Sequence, residues 1–249
     1  MIFRQLFEPL SSTYTYLLGC EATGRAILVD PVLPAWQRDL EALRVLGLQL
    51  AFSVETHVHA DHITSAARLK RETGCAIAFP AGDAFACVDR LIDEARPLEV
   101  GSVRLEGIAT PGHTDDHFAY RVGDRVLTGD ALLIDGCGRT DFQNGDAATL
   151  FRSVHEKLFT LPGETLVYPG HDYHGRHVSS IAQEMRRNPR LGNGRTLLEF
   201  EAIMATLDLP YPRFIDYAVT GNRQCGVCPD EIPDELQEFC ATLHESRQG

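Results

Sequence analysis

Thr56-His57-Val58-His59-Ala60-Asp61-His62 packs three imidazoles and a carboxylate into seven residues, directly after an apolar run, Leu48 to Val54, that reads as a buried strand. Such a cluster would repel itself if protonated and would be costly to bury unpaired, so a coordinated cation accounts for it best. The plainer alternative is a polar helix N-terminus with Asp61 near the cap. Against it, Gly112-His113, Gly129-Asp130 and Gly170-His171 each place a glycine and a metal-ligand type at the end of a strand-like run, Val103 to Ile108, Arg125 to Thr128 and Thr165 to Tyr168. A glycine there lets the chain turn sharply, so that the next side chain points off the edge of a sheet. Seven candidate ligands, His57, His59, Asp61, His62, His113, Asp130 and His171, are therefore expected to converge from four loops.

The rest of the chain sets bounds on that site. Its 249 residues, 44% hydrophobic and 23% charged, are ordinary globular usage and carry no linker-like break. Twenty-three basic against 35 acidic residues give a net charge of -12 with no basic stripe, which argues against nucleic acid as a partner. No apolar run approaches the roughly 20 residues needed to span a bilayer. The first residues enter alternating sequence without a signal or transit pattern, so a cytoplasmic protein is expected. Cysteines at 20, 75, 87, 137, 225, 228 and 240 are scattered and odd in number, which implies reduced thiols and no disulfide framework. The single Cys225-Gly226-Val227-Cys228 pattern has no partner pair, and its thiols are read as buried and structural.

Runs at Ile2 to Phe7, Thr13 to Leu18 and Ala26 to Val29 predict an antiparallel meander. Apolar residues at helical spacing predict helices over Pro34 to Leu46 and Asp61 to Thr73, on either side of the Leu48 to Val54 strand. A second β-rich stretch follows, Ala76 to Phe79, Val103 to Ile108, Phe118 to Val122 and Arg125 to Thr128, then a helix from about Asp146 to Phe159, so two similar halves are implied. Late helices are expected at about His174 to Arg187 and Thr196 to Leu207, serving either as a cap over the metal or as packing on the outside of a sheet, and a short one with a frayed end at about Asp234 to Leu243.

The string THxHxDH followed by Gly-His, Gly-Asp and Gly-His resembles the metallo-β-lactamase superfamily over roughly residues 2 to 225. That resemblance implies an α/β fold, an αββα sandwich of two mixed sheets with metal at one edge, and places the domain over 1–225 with a short extension over 226–249. In hydrolytic members of the glyoxalase II type, His57, His59 and His113 would hold one metal, Asp61, His62 and His171 a second, and Asp130 would bridge.

The sequence between the ligands is more discriminating. Cys137-Gly138-Arg139-Thr140-Asp141-Phe142-Gln143, Tyr168-Pro169-Gly170-His171-Asp172-Tyr173-His174-Gly175, Asn188-Pro189-Arg190 and Asn222-Arg223-Gln224-Cys225-Gly226-Val227 look like the persulfide dioxygenases. This narrower resemblance implies one ferrous iron per chain, Fe(2+), held by His57, His113 and Asp130. It also implies oxidation of glutathione persulfide with O2 and water to sulfite and glutathione. His59, Asp61, His62 and His171 would then orient the iron ligands, or serve a second metal. A homodimer is expected, with a separate sulfurtransferase as a source of persulfide. Cys225 matches a family cysteine, read as structural, with a reactive thiol as the alternative.

Glutathione carries carboxylates, so a chain of net charge -12 needs local cations to hold it. Arg139 is the first candidate, since a guanidinium grips a carboxylate with two parallel hydrogen bonds. Its alternative use is to pin its own loop by pairing with Asp141. Tyr173 is a second candidate substrate contact. The rival activity is hydroxyacylglutathione thioester hydrolysis at a binuclear site of the glyoxalase II type.

Overall fold

The computed structural model describes residues 1–82 and 85–230, with 232, 234 and 237 besides, and lays two six-stranded sheets face to face. The first sheet runs, in spatial order, β1 (Ile2–Glu8), β2 (Thr13–Cys20), β3 (Arg25–Val29), β4 (Gln49–Val54), β5 (Ala76–Pro80) and β6 (Arg90–Ile92). Its first three strands are the expected antiparallel meander, and β3 to β6 pair in parallel. Parallel pairing needs crossovers, which α1 (Trp36–Val45) and α2 (Ala66–Thr73) supply after β3 and β4.

The second sheet holds β7 (Leu98–Val100), β8 (Val103–Ala109), β9 (Phe118–Val122), β10 (Arg125–Gly129), β11 (Leu166–Pro169) and β12 (Ser179–Ser180), ordered in space from β12 back to β7. Only β10 and β11 are parallel, joined through α3 (Ala147–Ser153) and a π-helical turn, Val154–Leu158. The later helices are α4 (Ile181–Arg187), α5 (Leu197–Ala205) and α6 (Ile215–Asn222).

Side-chain alternation explains the layering. From β2, Tyr14, Tyr16 and Leu18 point into the core between the sheets, where they meet Ile27, Val54, Leu105, Tyr120 and Leu127. Leu17, on the other face of β2, joins Leu28, Leu43, Leu50 and Leu69 beneath α1 and α2. Outside the second sheet, Ala119, Val126 and Val167 pack on Leu150, Val154, Ile181 and Phe200 of α3, the π-turn, α4 and α5. The result is the four-layered αββα sandwich of mixed sheets. Among the described residues, no helix is long and apolar enough to cross a membrane.

Three expectations need correction. The helix placed over Asp61 to Thr73 begins only at Ala66. Before it, Ile63 O accepts from Leu33 N (2.8 Å) and Ser65 N donates to Pro31 O (2.8 Å), so that backbone is committed to neighbours outside any helix. The helix placed over His174 to Arg187 begins at Ile181. Asp172 Oδ2 accepts from the amides of His174 (2.9 Å) and Arg176 (2.6 Å), which ties that stretch into a turn, and the helix starts only where the Ser180 hydroxyl caps Gln183 N.

The expectation of reduced thiols throughout also fails, because Cys87 and Cys225, 138 residues apart, are joined in a disulfide with Cα atoms 6.1 Å apart. Packing of Cys225 with Ala66 and Ile77 brings the end of α6 against the segment that carries Cys87. Cys20, Cys75 and Cys137 are buried free thiols. The helix expected over 234–243 falls on residues that, 234 and 237 apart, lie outside those described. Of the two uses foreseen for the late helices, α5 takes the packing role on α3, with Phe151 and Phe200 ring centroids 5.6 Å apart, while Leu209, Pro210, Pro212, Arg213 and Phe214 line the cleft over the site.

Candidate metal centre

All seven predicted ligands meet at one edge of the sandwich. His57, His59, Asp61 and His62 follow β4, His113 follows β8, Asp130 follows β10 and His171 follows β11. The two sheets are stitched together there, for Phe118 N donates to Thr56 O and Tyr14 N to Gly170 O, each at 2.8 Å. The ligand glycines do the work foreseen for them. Gly129 has φ +48°, and a Cβ on it would come within 2.5 Å of His117 Nε2.

Three donors form one set: ligand atoms of His57, His113 and Asp130 lie within 4.8 Å of one another. Their hydrogen bonds show which atoms face inward. His113 Nδ1 donates to Arg139 O (2.6 Å), leaving Nε2 towards Asp130 Oδ2 at 3.5 Å. Thr56 Oγ1 spends its proton on Asp30 Oδ2 (3.0 Å), so toward His57 it accepts, and His57 Nδ1 carries the proton (2.9 Å). The lone pair of His57 is then on Nε2. Asp130 N donates to His117 Nε2 (3.0 Å), whose Nδ1 bonds Thr110 Oγ1 (2.8 Å). Burial first, then the neighbouring imidazoles, hold His57 and His117 well below the usual histidine pKa and keep both neutral.

The other four predicted ligands lie alongside. His59, Asp61 and His62 form a second set within 4.8 Å, and His171 Nε2 stands between the sets, 3.4 Å from Asp61 Oδ2 and 3.6 Å from Asp130 Oδ1. His59 Nε2 is turned to Asp30 Oδ1 (3.0 Å) and Glu55 Oε2 (3.4 Å). Burial opposes charge on His59, but those two carboxylates outweigh it and raise its pKa well above the ordinary value. Asp130 Oδ1, His59 Nδ1 and His62 Nε2 are buried without a hydrogen-bond partner. Asp130 Oδ1 and His62 Nε2 are orphaned acceptors that a bound cation would satisfy, while His59 Nδ1 could take part only on losing the proton that its neighbouring carboxylates favour.

In front of Asp130 lies a cleft of about 590 Å³. Arg139 lines it, yet its Nε and Nη2 fork onto Asp141 (2.6 and 2.7 Å) and its Nη1 donates to Pro210 O (2.8 Å). Tyr173 is 69% exposed at the rim, its ring parallel to that of His171 with centroids 6.0 Å apart.

Sequence reasoning passed over several residues that build the site. Asp30 directly follows β3, just before Pro31, in the same strand-end context as the ligands, and that signal was readable. His117 and Glu55 carried no such local mark, and Arg190 in the cleft wall, although part of the Asn188-Pro189-Arg190 stretch, was given no role there.

Comparison with known proteins agrees with this geometry. The metallo-beta-lactamase superfamily profile matches residues 9–171. The chain is 47% identical over 232 residues to the mitochondrial persulfide dioxygenase ETHE1 of Homo sapiens, covering 91% of this chain and 89% of that one. It superimposes on the crystal structure of ETHE1 from Myxococcus xanthus with a TM-score of 0.88 at 53% identity, over 91% of this chain and all of the other. A hydroxyacylglutathione hydrolase of Rhodospirillum rubrum is more distant, 34% identical over 217 residues that cover 86% and 82% of the two chains. The chain belongs to the metallo-beta-lactamase superfamily and, within it, to the persulfide dioxygenases.

Proposed function

We propose that this persulfide dioxygenase oxidises glutathione persulfide with O2 and water to sulfite and glutathione, at one ferrous iron held by His57, His113 and Asp130. The observation that carries the reading is the donor set itself: two imidazoles whose Nδ1 atoms are engaged elsewhere, leaving Nε2 turned inward, and one buried carboxylate oxygen without a partner, open on one side to a cleft. Two histidines and one carboxylate suit ferrous iron, which would supply redox chemistry toward dioxygen.

The chain's own residues do the rest. The Arg139 carbonyl and the Thr56 hydroxyl lock the tautomers of His113 and His57, so neither ring can rotate its lone pair away. His117 anchors the Asp130 backbone from beneath, and burial keeps bulk water from that side. Arg139, Arg176, Arg190 and Arg213 line the cleft beside Asp61, Asp130, Asp135 and Asp172, and offer guanidinium groups to the carboxylates of a glutathionyl substrate, which must displace the present partners of Arg139 and Arg176. Tyr173 reaches the same mouth with its hydroxyl. The reaction balances as RSSH + O2 + H2O giving RSH, sulfite and two protons. A homodimer fed by a separate sulfurtransferase completes the proposal.

The test is metal analysis with an oxygen electrode. The expected result is about one iron per chain and oxygen uptake on addition of glutathione persulfide. Two zinc ions per chain with hydrolysis of lactoylglutathione would instead establish the binuclear thioester hydrolase, the second reading, which the orphaned His62 Nε2 favours.

For Arg139→Ala we expect KM for glutathione persulfide to rise about tenfold with iron retained, the worth of one charged hydrogen-bond contact. In the free protein Asp141 occupies the guanidinium, so a substrate carboxylate must displace it. An unchanged KM with a lowered Tm would assign Arg139 to pinning its loop.

A further inference from the structure

The stretch Asn222-Arg223-Gln224-Cys225-Gly226 lies outside the superfamily-matched residues 9–171, and nothing in the chemistry above uses it. Its first residue nonetheless holds the metal-binding loop. Asn222 is buried at the C-terminal end of α6. Its Nδ2 donates to His59 O (2.9 Å) and His62 O (2.8 Å), and its Oδ1 accepts from Thr64 N (2.9 Å). One amide thus satisfies backbone groups on both sides of Asp61-His62, in a segment whose irregular backbone has no regular ladder to pair with.

Other holds on the loop come from inside the matched region and act on other groups: Leu33 N donates to Ile63 O and Ser65 N to Pro31 O, each at 2.8 Å, His59 Nε2 faces Asp30 Oδ1 at 3.0 Å, and Thr13 Oγ1 donates to Asp61 Oδ2 at 3.2 Å. Thr56 N donates to Asp30 Oδ1 (2.7 Å), Val58 N to Asp116 Oδ2 (2.9 Å), and Gln143 Nε2 to Val58 O (2.6 Å). Without Asn222, the carbonyls of His59 and His62 and the amide of Thr64 lose the partner that holds them, while Asp30 and Leu33 still anchor the His59 ring and the Ile63 carbonyl.

The end of α6 is itself immobilised against the same loop. Ala67 N donates to Cys225 O (2.8 Å), Cys225 is bonded to Cys87, and Gly226, at φ +89°, lies so close to Thr64 O that no Cβ would fit. Ile63 packs with Phe214 and Ala218 of the α6 region.

We infer that Asn222 is a positioning residue for the metal centre: through three hydrogen bonds it sets the His59–Thr64 backbone, and with it the retention of metal at the neighbouring His57, His113 and Asp130. The inference rests on a metal being held there, not on the reaction catalysed, so zinc serves as a probe beside ferrous iron. A failed dioxygenase reading appears in oxygen uptake, whereas failure of this inference appears in exchange and release.

Because coupling is reciprocal, metal loading of the wild-type protein should slow amide exchange in α6 by at least about fivefold relative to the metal-free protein. Unchanged exchange there would overturn the inference. Asn222→Asp keeps size and the acceptor for Thr64 N but loses both donors. It is expected to release iron or zinc to a chelator about 10- to 100-fold faster, with kcat reduced more than KM is changed. A folded Asn222→Asp protein that keeps the wild-type release rate would equally overturn it. Should that variant not fold, the exchange measurement on the wild type decides alone.

Discussion

Asp130→Ala is expected to strip the metal from the protein and lower oxygen uptake with glutathione persulfide by more than about 100-fold, a larger loss than second-sphere changes give. Asp130 supplies the only anionic donor in the set with His57 and His113, and its Oδ1 has no hydrogen-bond partner to compensate for desolvation. Its backbone is held independently through His117, so truncation removes the ligand and leaves the loop in place. His171→Ala is the contrasting variant. With one iron at His57, His113 and Asp130, the metal stays and activity falls only in part, because His171 touches the set at 3.6 Å through Asp130 Oδ1. Iron per chain, measured after anaerobic loading of both variants, separates the cases. Full iron in Asp130→Ala would remove the proposed ligand set, and loss of all metal in His171→Ala would favour the binuclear arrangement.

Gly112→Ala is expected to cost at least about 4 kcal/mol of stability and to displace His113. Gly112 sits at φ +132°, and a Cβ there would fall inside the van der Waals surface of Leu150 N and Cα, which are backbone atoms of α3 and have little room to yield. Gly112 O also accepts from Asp146 N (2.8 Å), at the residue whose side chain caps α3, so the helix and the ligand loop would be forced apart together. Gly175→Ala is the control: φ is +72° but nothing lies within 4 Å, so only the conformational cost of about 1 kcal/mol applies. Denaturant midpoints and iron content of the two variants check this. Equal midpoints would mean that α3 moves aside at little cost.

Much of the site was legible because its marks are local. An apolar run followed by THxHxDH, and three glycine-ligand pairs at strand ends, are properties of short segments, and the strands that carry them begin and end within a residue or two of where alternation placed them. Helix starts were less legible. Residues 61–65 and 174–180 have helical spacing, but Pro31, Leu33 and the Asp172 carboxylate take their backbone groups first. The Arg139 carboxylate clamp and its pinning alternative could not be ranked from sequence either, since Pro210, 71 residues on, supplies part of the guanidinium's environment.

By itself the sequence determined the candidate donors, their order along the chain and the strands that carry them, because side-chain chemistry and strand periodicity belong to each segment alone; the αββα sandwich came from the resemblance of that string to the metallo-β-lactamase superfamily. Only the tertiary structure decided which imidazole nitrogen faces inward, that Cys87 meets Cys225, and that Asn222 secures the metal loop. Those outcomes depend on hydrogen bonds and packing between residues up to 163 positions apart, whose encounters are set by the folding of both sheets together.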